Sequence, residues 1–175
     1  MKDVVDNYFL YVKDSVLEIK TKDPHKYDKK KVFIKILCPQ MADVKLLGIE
    51  SFKTDRLKTD YFNLETSGVN YVGIGKLECK YFKSHLHGIT TFFNTLIIGN
   101  DVSFICDGVV KLGVDVCAVN DLDLNTSGVT SGKVSFKWKN ATIENSGVGK
   151  LSIQSDCEKI VAINKGEAKI EISGT

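Results

Sequence analysis

Two histidines stand two residues apart and are the first candidates for chemistry in this sequence. In an extended strand, residues i and i+2 point to the same face, so His85 and His87 would present their imidazoles side by side. Imidazole is a common ligand of Zn²⁺, which usually takes three or four protein ligands. No third ligand follows at a recognisable spacing, and the remaining histidine, His25, is far away in a polar segment. The pair is a metal candidate, and two ordinary strand histidines are the favoured interpretation.

A second candidate lies in residues 120–125, where oxygen-bearing side chains alternate with leucines. Asp121 and Asp123, with the amides of Asn120 and Asn125, could present a row of oxygen ligands to Ca²⁺. The segment does not match the glycine-rich Ca²⁺-binding nonapeptide repeat. Simple alternation favours the outward polar face of a strand.

Neither an enzyme activity nor a cofactor is predicted. Asp55, Arg56, Lys58 and Asp60 lie together, as charged groups do in β-helical polysaccharide lyases and hydrolases. A catalytic cluster would also draw on neighbouring coils, and no pair of carboxylates with readable catalytic geometry is present. Residues 73–76 (Gly-Ile-Gly-Lys) lack the spacing of a phosphate-binding loop. A carbohydrate-active or carbohydrate-binding β-helix remains the alternative.

Composition excludes several classes of function. Arg56 is the only arginine among 24 basic residues, and the net charge is +2, so nucleic-acid binding is not expected. No apolar run approaches the roughly 18 residues of a membrane-spanning helix. Asp3 and Asp6 stand where a signal peptide would be basic and then apolar, so none is predicted. The five cysteines form no C-x-x-C pair and are expected to be buried thiols.

The elements that must position these residues are organised by a series of glycines. Seven glycines recur at steps of 20, 20, 20, 20, 19 and 19 residues. Such a period is typical of a solenoid of stacked coils. A tight bend between two strands needs either positive φ or close approach of a neighbouring backbone, and glycine allows both. The predicted corner residues are Gly48, Gly68, Gly88, Gly108, Gly128, Gly147 and Gly166.

Residues at equivalent positions form columns along this repeat. Apolar residues recur six and four places before the glycine and directly after it, which predicts continuous hydrophobic stripes along the stack. We therefore predict an all-β, single-stranded parallel β-helix, or β-solenoid, of about seven coils. Two places before the glycine, Thr66, Thr126, Asn145 and Asn164 could form a hydrogen-bonded polar ladder, and a partly exposed corner is the equal alternative.

The first forty residues have a different pattern. Residues 4–20 read as one or two strands with a turn at residues 13–15, and residues 32–37 read as a strongly β-prone strand that ends before Pro39. We predict that residues 1–40, strands and loop, cover one end of a solenoid formed by residues 41–175, within one structural domain. The edge of the last coil would be open, which favours a homo-oligomer through that edge.

The order of these segments resembles a known family. Residues 34–39 (Ile-Lys-Ile-Leu-Cys-Pro), residues 44–48 (Val-Lys-Leu-Leu-Gly), repeated Ser-Gly corners at Gly128 and Gly147, and a closing Ile-Ser-Gly at 172–174 resemble the auto-transporter adhesin head domain, or GIN domain. Three corners depart from the pattern, with His87, Asp107 and Lys165 in place of the serine.

The resemblance implies a β-solenoid on the exported side of a bacterial cell envelope. It implies an adhesin-like binding or scaffolding role, with an unknown protein or glycan at the cell surface as partner. It brings no catalytic residues. A cytoplasmic location stays open, because the sequence shows no signal peptide.

Overall fold

The computed structural model describes residues 8–22, 33–38 and 40–174, without the side chains of residues 118, 119 and 138. The chain forms two compact units, residues 1–38 and residues 39–175. No helix in the described part of the chain is long and apolar enough to cross a membrane. The predicted packing of the N-terminal strands on the solenoid stays a prediction.

The first unit contains an antiparallel hairpin of β1 (Tyr8–Lys13) and β2 (Val16–Thr21). Asp14 and Ser15 form its two-residue turn with φ of 51° and 63°, the conformation that matches the twist of paired strands. The predicted strands and turn are confirmed from Tyr8 onward, and residues 4–7 of the prediction lie outside the described residues. The strand predicted at 32–37 is wrong, because residues 33–38 have no regular structure and no described strand pairs with them. High β propensity by itself does not make a strand.

The second unit is a parallel β-solenoid, as the glycine period predicts. Its strands all belong to one sheet in which each coil pairs with the next in parallel. Seven corner glycines bound six complete repeats, and the solenoid has about six turns rather than the predicted seven coils. The strands are β3 (Asp43–Leu46), β4 (Ile49–Lys58), β5 (Tyr61–Thr66), β6 (Val69–Glu78), β7 (Tyr81–Leu86), β8 (Ile89–Cys106), β9 (Val109–Thr126), β10 (Val129–Asn145), β11 (Val148–Asn164) and β12 (Glu167–Gly174).

The register between coils follows the sequence period. Val129 lies opposite Val109, twenty residues earlier, whereas Val148 lies opposite Val129 at nineteen. The step changes inside β10, where the pairing with β9 slips between Lys137 and Asn140. A one-residue slip by itself would turn the following side chains to the other face, but the irregularity absorbs it: Phe136 and Ala141 on either side are buried, as are Val116 and Leu122 opposite them.

The core runs along the solenoid axis. Phe62 and Phe82 stack at 5.9 Å between ring centroids, and Phe104 meets Phe82 edge-on at 5.2 Å. These residues come from the two apolar columns that precede the glycine, which the sequence predicts as hydrophobic stripes. Later members of the two columns are also fully buried: Leu122, Leu124, Ala141 and Ile143.

The corner glycines stack directly on one another. A Cβ built on Gly128 would lie 2.1 Å from the carbonyl oxygen of Gly108, which is far inside contact distance. The same carbonyl accepts a hydrogen bond from the amide of Val129 at 2.9 Å. Among the corner glycines, Gly68 and Gly88 have positive φ of 101° and 79°. Close approach of the backbone, more than left-handed conformation, therefore explains the glycine column.

The predicted polar ladder forms near the C-terminal end. The hydroxyl of Thr126 donates to the side-chain oxygen of Asn145 at 2.6 Å, and Nδ2 of Asn145 donates to the side-chain oxygen of Asn164 at 2.7 Å. Thr66 is not part of this ladder, because Leu86 and Cys106 stand between it and Thr126 in the column; its hydroxyl pairs with that of Thr90 at 2.8 Å. Thr126 and Asn145 are buried, so these bonds satisfy groups that water cannot reach.

Candidate functional site

The third apolar column lies on the outside of the solenoid. Each residue after a corner glycine begins a strand and is exposed, while the next residue is buried in the four coils that follow Gly68, Gly88, Gly108 and Gly128. Coils stack about 4.8 Å apart, so six such residues make a straight line about 24 Å long. Their side chains are 46–76% exposed. We call this line the aliphatic row, and its members are Ile49, Val69, Ile89, Val109, Val129 and Val148.

Two aromatic side chains extend the apolar surface beside the aliphatic row. Tyr71 and Phe93 point outward from β6 and β8, with their ring centroids 6.3 Å apart. The edge of the Phe93 ring fills the space over Gly113, where a Cβ would lie 2.3 Å from the ring. The ammonium of Lys53 lies 5.0 Å from the centroid of the Tyr71 ring, close enough for a cation–π contact. The surface therefore combines aliphatic, aromatic and cationic groups.

His85 and His87 meet a carboxylate from the following coil. His85 Nε2 donates to Asp107 Oδ2 at 2.7 Å, and His87 Nδ1 donates to Asp107 Oδ1 at 2.9 Å. Asp107 occupies the corner position of its coil, as His87 does twenty residues earlier, so parallel stacking brings them together. Sequence spacing along one strand missed this residue, although the twenty-residue period carries the signal.

The three side chains form a compact cluster that solvent can reach. The side chains of His85, His87 and Asp107 are 47%, 61% and 32% exposed. Partial burial raises the pKa of Asp107, but the hydrogen bonds from the two histidines outweigh burial and hold that pKa below its ordinary value. Asp107 therefore accepts two bonds as a carboxylate at neutral pH.

The second predicted candidate, Asp121 and Asp123, is on an outward face, as alternation predicts. Asp121 lies opposite Asp101 of the preceding coil and accepts a hydrogen bond from Asn140 Nδ2 at 2.8 Å. Burial, followed by repulsion from Asp121, Asp101 and Glu144, raises the pKa of Asp123 above its ordinary value. The structure thus brings four carboxylates to one face.

The described part of the chain shows no set of three or more histidine, cysteine, aspartate or glutamate side chains grouped so as to hold a metal ion as they stand. In the His85–Asp107–His87 cluster, the nitrogen and oxygen atoms that could bind a metal are hydrogen-bonded to one another. Cys106 is buried and its pKa is raised to about 12, mainly by burial, so this thiol is an inert core residue. Cys79 is half-buried, and burial raises its pKa to about 11. The expectation of buried thiols is wrong for Cys38 and Cys117, which are exposed.

The charged residues between Asp55 and Asp60 form ion pairs with the next coil. Arg56 Nη2 and Lys76 Nζ both lie 2.8 Å from Glu78 Oε1, and Lys58 lies 4.0 Å from the other oxygen of Glu78. The Lys76 hydrogen bond is the main cause that lowers the pKa of Glu78. Asp60 pairs with Lys80 of the next coil at 3.2 Å. Arg56, Lys58 and Asp60 are thus paired with charged residues of the next coil.

A shallow depression of about 320 Å³ lies on the face formed by β3, β5 and β7. Asn63 donates to the carboxylate of Asp43 there at 2.9 Å. Tyr61 and Tyr81, on the same outward face, stack at 5.1 Å and are 58% and 43% exposed. The residues that line the depression are Asp43, Val44, Lys45, Asn63, Leu64, Glu65, Lys83 and His85.

Comparison with known proteins adds no relative to this description. No protein-family model, no curated protein and no solved structure matches this chain. The strand pairing shows a β-solenoid, and no family is assigned to the chain.

Proposed function

We propose that the solenoid is a non-enzymatic binding or scaffolding module whose contact surface is the aliphatic row. The observation that supports this is the continuity of the row, with six β-branched side chains in register and each about half exposed or more. Single exposed apolar residues are ordinary on protein surfaces, whereas contiguous apolar patches mark interaction sites. Covering the row removes apolar surface from water, which favours association.

The partner that fits the aliphatic row is a protein surface. Aliphatic side chains offer no hydrogen bonds to sugar hydroxyls, but they pack well against other apolar side chains. Exposed lysines lie beside the row on the outward faces of the same strands, which favours an apolar partner strip flanked by acidic residues. These lysines are Lys53, Lys111 and Lys133, whereas Lys150 on the same face is paired with Glu171 at 3.5 Å.

The cell-envelope role is supported by the resemblance to the GIN domain. The proposal is an adhesin-like or scaffolding domain on the exported side of a bacterial envelope. The repeated Ser-Gly corners support it, together with the solenoid fold.

A matched pair of variants tests the role of the aliphatic row. Proteins that the immobilised solenoid captures from bacterial envelope fractions are identified, purified, and measured for affinity. Val109→Lys places a charge in the middle of the row, and Asn125→Lys adds the same charge on an outward position before the corner. We expect Val109→Lys to weaken binding at least about tenfold, as loss of a hot spot does, and Asn125→Lys to leave it unchanged. Equal affinities for the two variants would refute the proposal.

Glycan binding is the second candidate, supported by the exposed Tyr61–Tyr81 pair beside the polar depression. Tyrosine has an apolar body and a polar tip, and amide and carboxylate groups supply donors and acceptors for hydroxyls. A glycan array probed with and without Ca²⁺ tests this function. A hit that Tyr81→Ala abolishes would support it, and release of products from polysaccharides would indicate a carbohydrate-active form. A blank array would leave the protein partner as the sole candidate.

Self-association through the last coil stays a prediction. β12 is the edge strand of the described sheet, and Ile172 on it is 43% exposed. Edge strands can pair with a second copy, although Lys169 and Glu171 on the same strand can discourage this. Light scattering at high protein concentration decides it, since a monomer mass would contradict the prediction.

A further inference from the structure

The corner occupied by His85, His87 and Asp107 differs from the others in its chemistry. Ser-Gly stands at three of the seven corners, whereas the third and fourth coils carry His87 and Asp107 before their glycines. His85 adds a second imidazole from the end of β7. The cluster brings two imidazoles and a carboxylate together on an exposed surface, across the corner from Ile89 and Val109 of the aliphatic row.

The backbone under the cluster is held by the stacking of the coils. His85 lies in β7, which pairs with β8 in unbroken register from Tyr81 to Leu86. Across the corner, the amide of Asp107 donates to the carbonyl of Leu86 at 3.3 Å. The positions of the three Cα atoms are therefore set by the sheet, and only side-chain rotation is free to change the cluster.

The donor atoms suit a borderline transition metal. We propose that His85, His87 and Asp107 form a binding site for a divalent transition-metal ion such as Zn²⁺, through His85 Nε2, His87 Nδ1 and an oxygen of Asp107. Two imidazoles and one carboxylate are a ligand set that Zn²⁺ uses in proteins, with the remaining positions open to water or to a partner. Hard ions such as Ca²⁺ prefer oxygen ligands alone and are not expected here.

The hydrogen bonds of the cluster are those expected without a metal. Each imidazole nitrogen that faces Asp107 now carries the proton it donates. Binding of the ion replaces both N–H···O bonds with bonds to the metal, so each proton moves to the other ring nitrogen or, from a charged imidazole, is released to solvent. Because all three side chains are partly exposed, their rotation toward one ion requires no change in the strands.

The site also has suitable surroundings. The other carboxylate facing this region, Glu65, is bound to Lys45 at 2.7 Å and so remains in place as a neighbouring negative charge. His85 is opposite Ile105 on the next coil, so the residue directly opposite it there carries no charge. The ion would bridge two coils, since His85 and His87 come from one and Asp107 from the next.

The test is isothermal titration of the tag-free chain, stripped of metal, with ZnCl₂ at neutral pH. We expect one ion per chain. Removal of a ligand's outer-shell partner alone costs about 10- to 100-fold in affinity, so His87→Gln and Asp107→Asn should each weaken binding at least about tenfold. Asp123→Asn is the matched control, because it removes the same charge from another column and should leave the affinity unchanged.

Co²⁺ and Ca²⁺ complete the experiment. Co²⁺ in the wild-type chain should develop visible absorption bands of nitrogen ligation that His85→Gln alters, and Ca²⁺ should give no binding heat. Circular dichroism confirms that each variant remains folded. Two results would overturn the proposal: Zn²⁺ binding weaker than about 1 mM, or less than tenfold weakening in both His87→Gln and Asp107→Asn.

Discussion

Replacement of Gly128 by alanine tests the close stacking of the corners most directly. The new Cβ would lie 2.1 Å from the carbonyl oxygen of Gly108 and 2.9 Å from the carbonyl group of Asp107. These atoms are backbone and cannot swing aside. The shortest contact is about 1 Å too close, so the two coils must separate locally.

The cost follows from what that separation breaks. Two short hydrogen bonds join the coils at this corner, from Ser127 N to Cys106 O and from Val129 N to Gly108 O, both at 2.9 Å, beside a longer one from Gly128 N to Cys106 O at 3.5 Å. Their loss costs about 1 kcal/mol each. Overpacking adds about 1 to 3 kcal/mol. We expect a loss of about 3 to 5 kcal/mol in the free energy of unfolding, reduced by less than about 1 kcal/mol because alanine restricts the unfolded chain.

Two other glycines are controls for this variant. Gly48 begins the column, and its Cβ would meet the flexible Glu50 side chain at 3.4 Å. Gly73 lies within the stack, and its Cβ would meet a ring carbon of Tyr71 at 3.1 Å. Gly48→Ala is expected to be neutral or stabilising by up to about 1 kcal/mol. Gly73→Ala is expected to cost less than about 1.5 kcal/mol.

Urea unfolding followed by circular dichroism measures the differences. Repeat proteins can unfold in parts, so hydrogen exchange at the corner amides is measured as well. At about 2 to 4 °C per kcal/mol for a chain of this size, Gly128→Ala should lower Tm by about 6 to 20 °C. A loss below about 1 kcal/mol, or an equal loss in Gly48→Ala, would refute the close-approach explanation.

Three further predictions concern buried and charged polar groups. Asn94 is buried in a column with Ile74 and Val114, and neither its side-chain oxygen nor its side-chain nitrogen has a hydrogen-bond partner. Asn94→Val should therefore raise the free energy of unfolding in urea by about 1 to 3 kcal/mol. A loss of stability would indicate a bound water at Asn94. Asn145→Ala breaks the buried polar ladder and should cost about 2 to 3 kcal/mol, more than Asn164→Ala at its exposed end, and the reverse order of Tm values would contradict the ladder. Asp123 has a raised pKa in the folded protein, so its ionisation disfavours the folded state at neutral pH. Asp123→Asn should raise Tm at pH 7 by an amount corresponding to less than about 1 kcal/mol, and this gain should vanish as the pH falls below the pKa of the unfolded chain. A gain in Tm that does not depend on pH would exclude this cause.

The period of the corner glycines predicted most of the fold. Glycine at every twentieth or nineteenth position is unusual without a structural reason, and the two inward columns around Phe62 and Leu64 are confirmed. The strand predicted at 32–37 failed because local propensity cannot supply a paired neighbour. The polar ladder was predicted as one of two alternatives, and hydrogen bonds from Asn145 distinguish them.

The candidate sites were predictable only in part. The pair His85 and His87 was visible as a spacing of two residues, but Asp107 belongs to the next coil and becomes a neighbour only through stacking. Likewise, an apolar residue follows six of the seven corner glycines, and a column of apolar residues can be either buried or exposed. The direction of Val109 depends on how the corner turns, which is a backbone property that hydrophobic pattern does not encode.

The sequence by itself determined the repeat, the parallel solenoid and the residues that line its core, because periodic glycines and alternating apolar residues act locally and identically in every coil. The tertiary structure alone decided which residues from different coils touch. Register places Asp107 against two histidines, Arg56 against Glu78, and the β-branched residues in one exposed line. Those contacts depend on the lateral stacking of strands at about 4.8 Å, and stacking joins residues that are twenty positions apart in the chain.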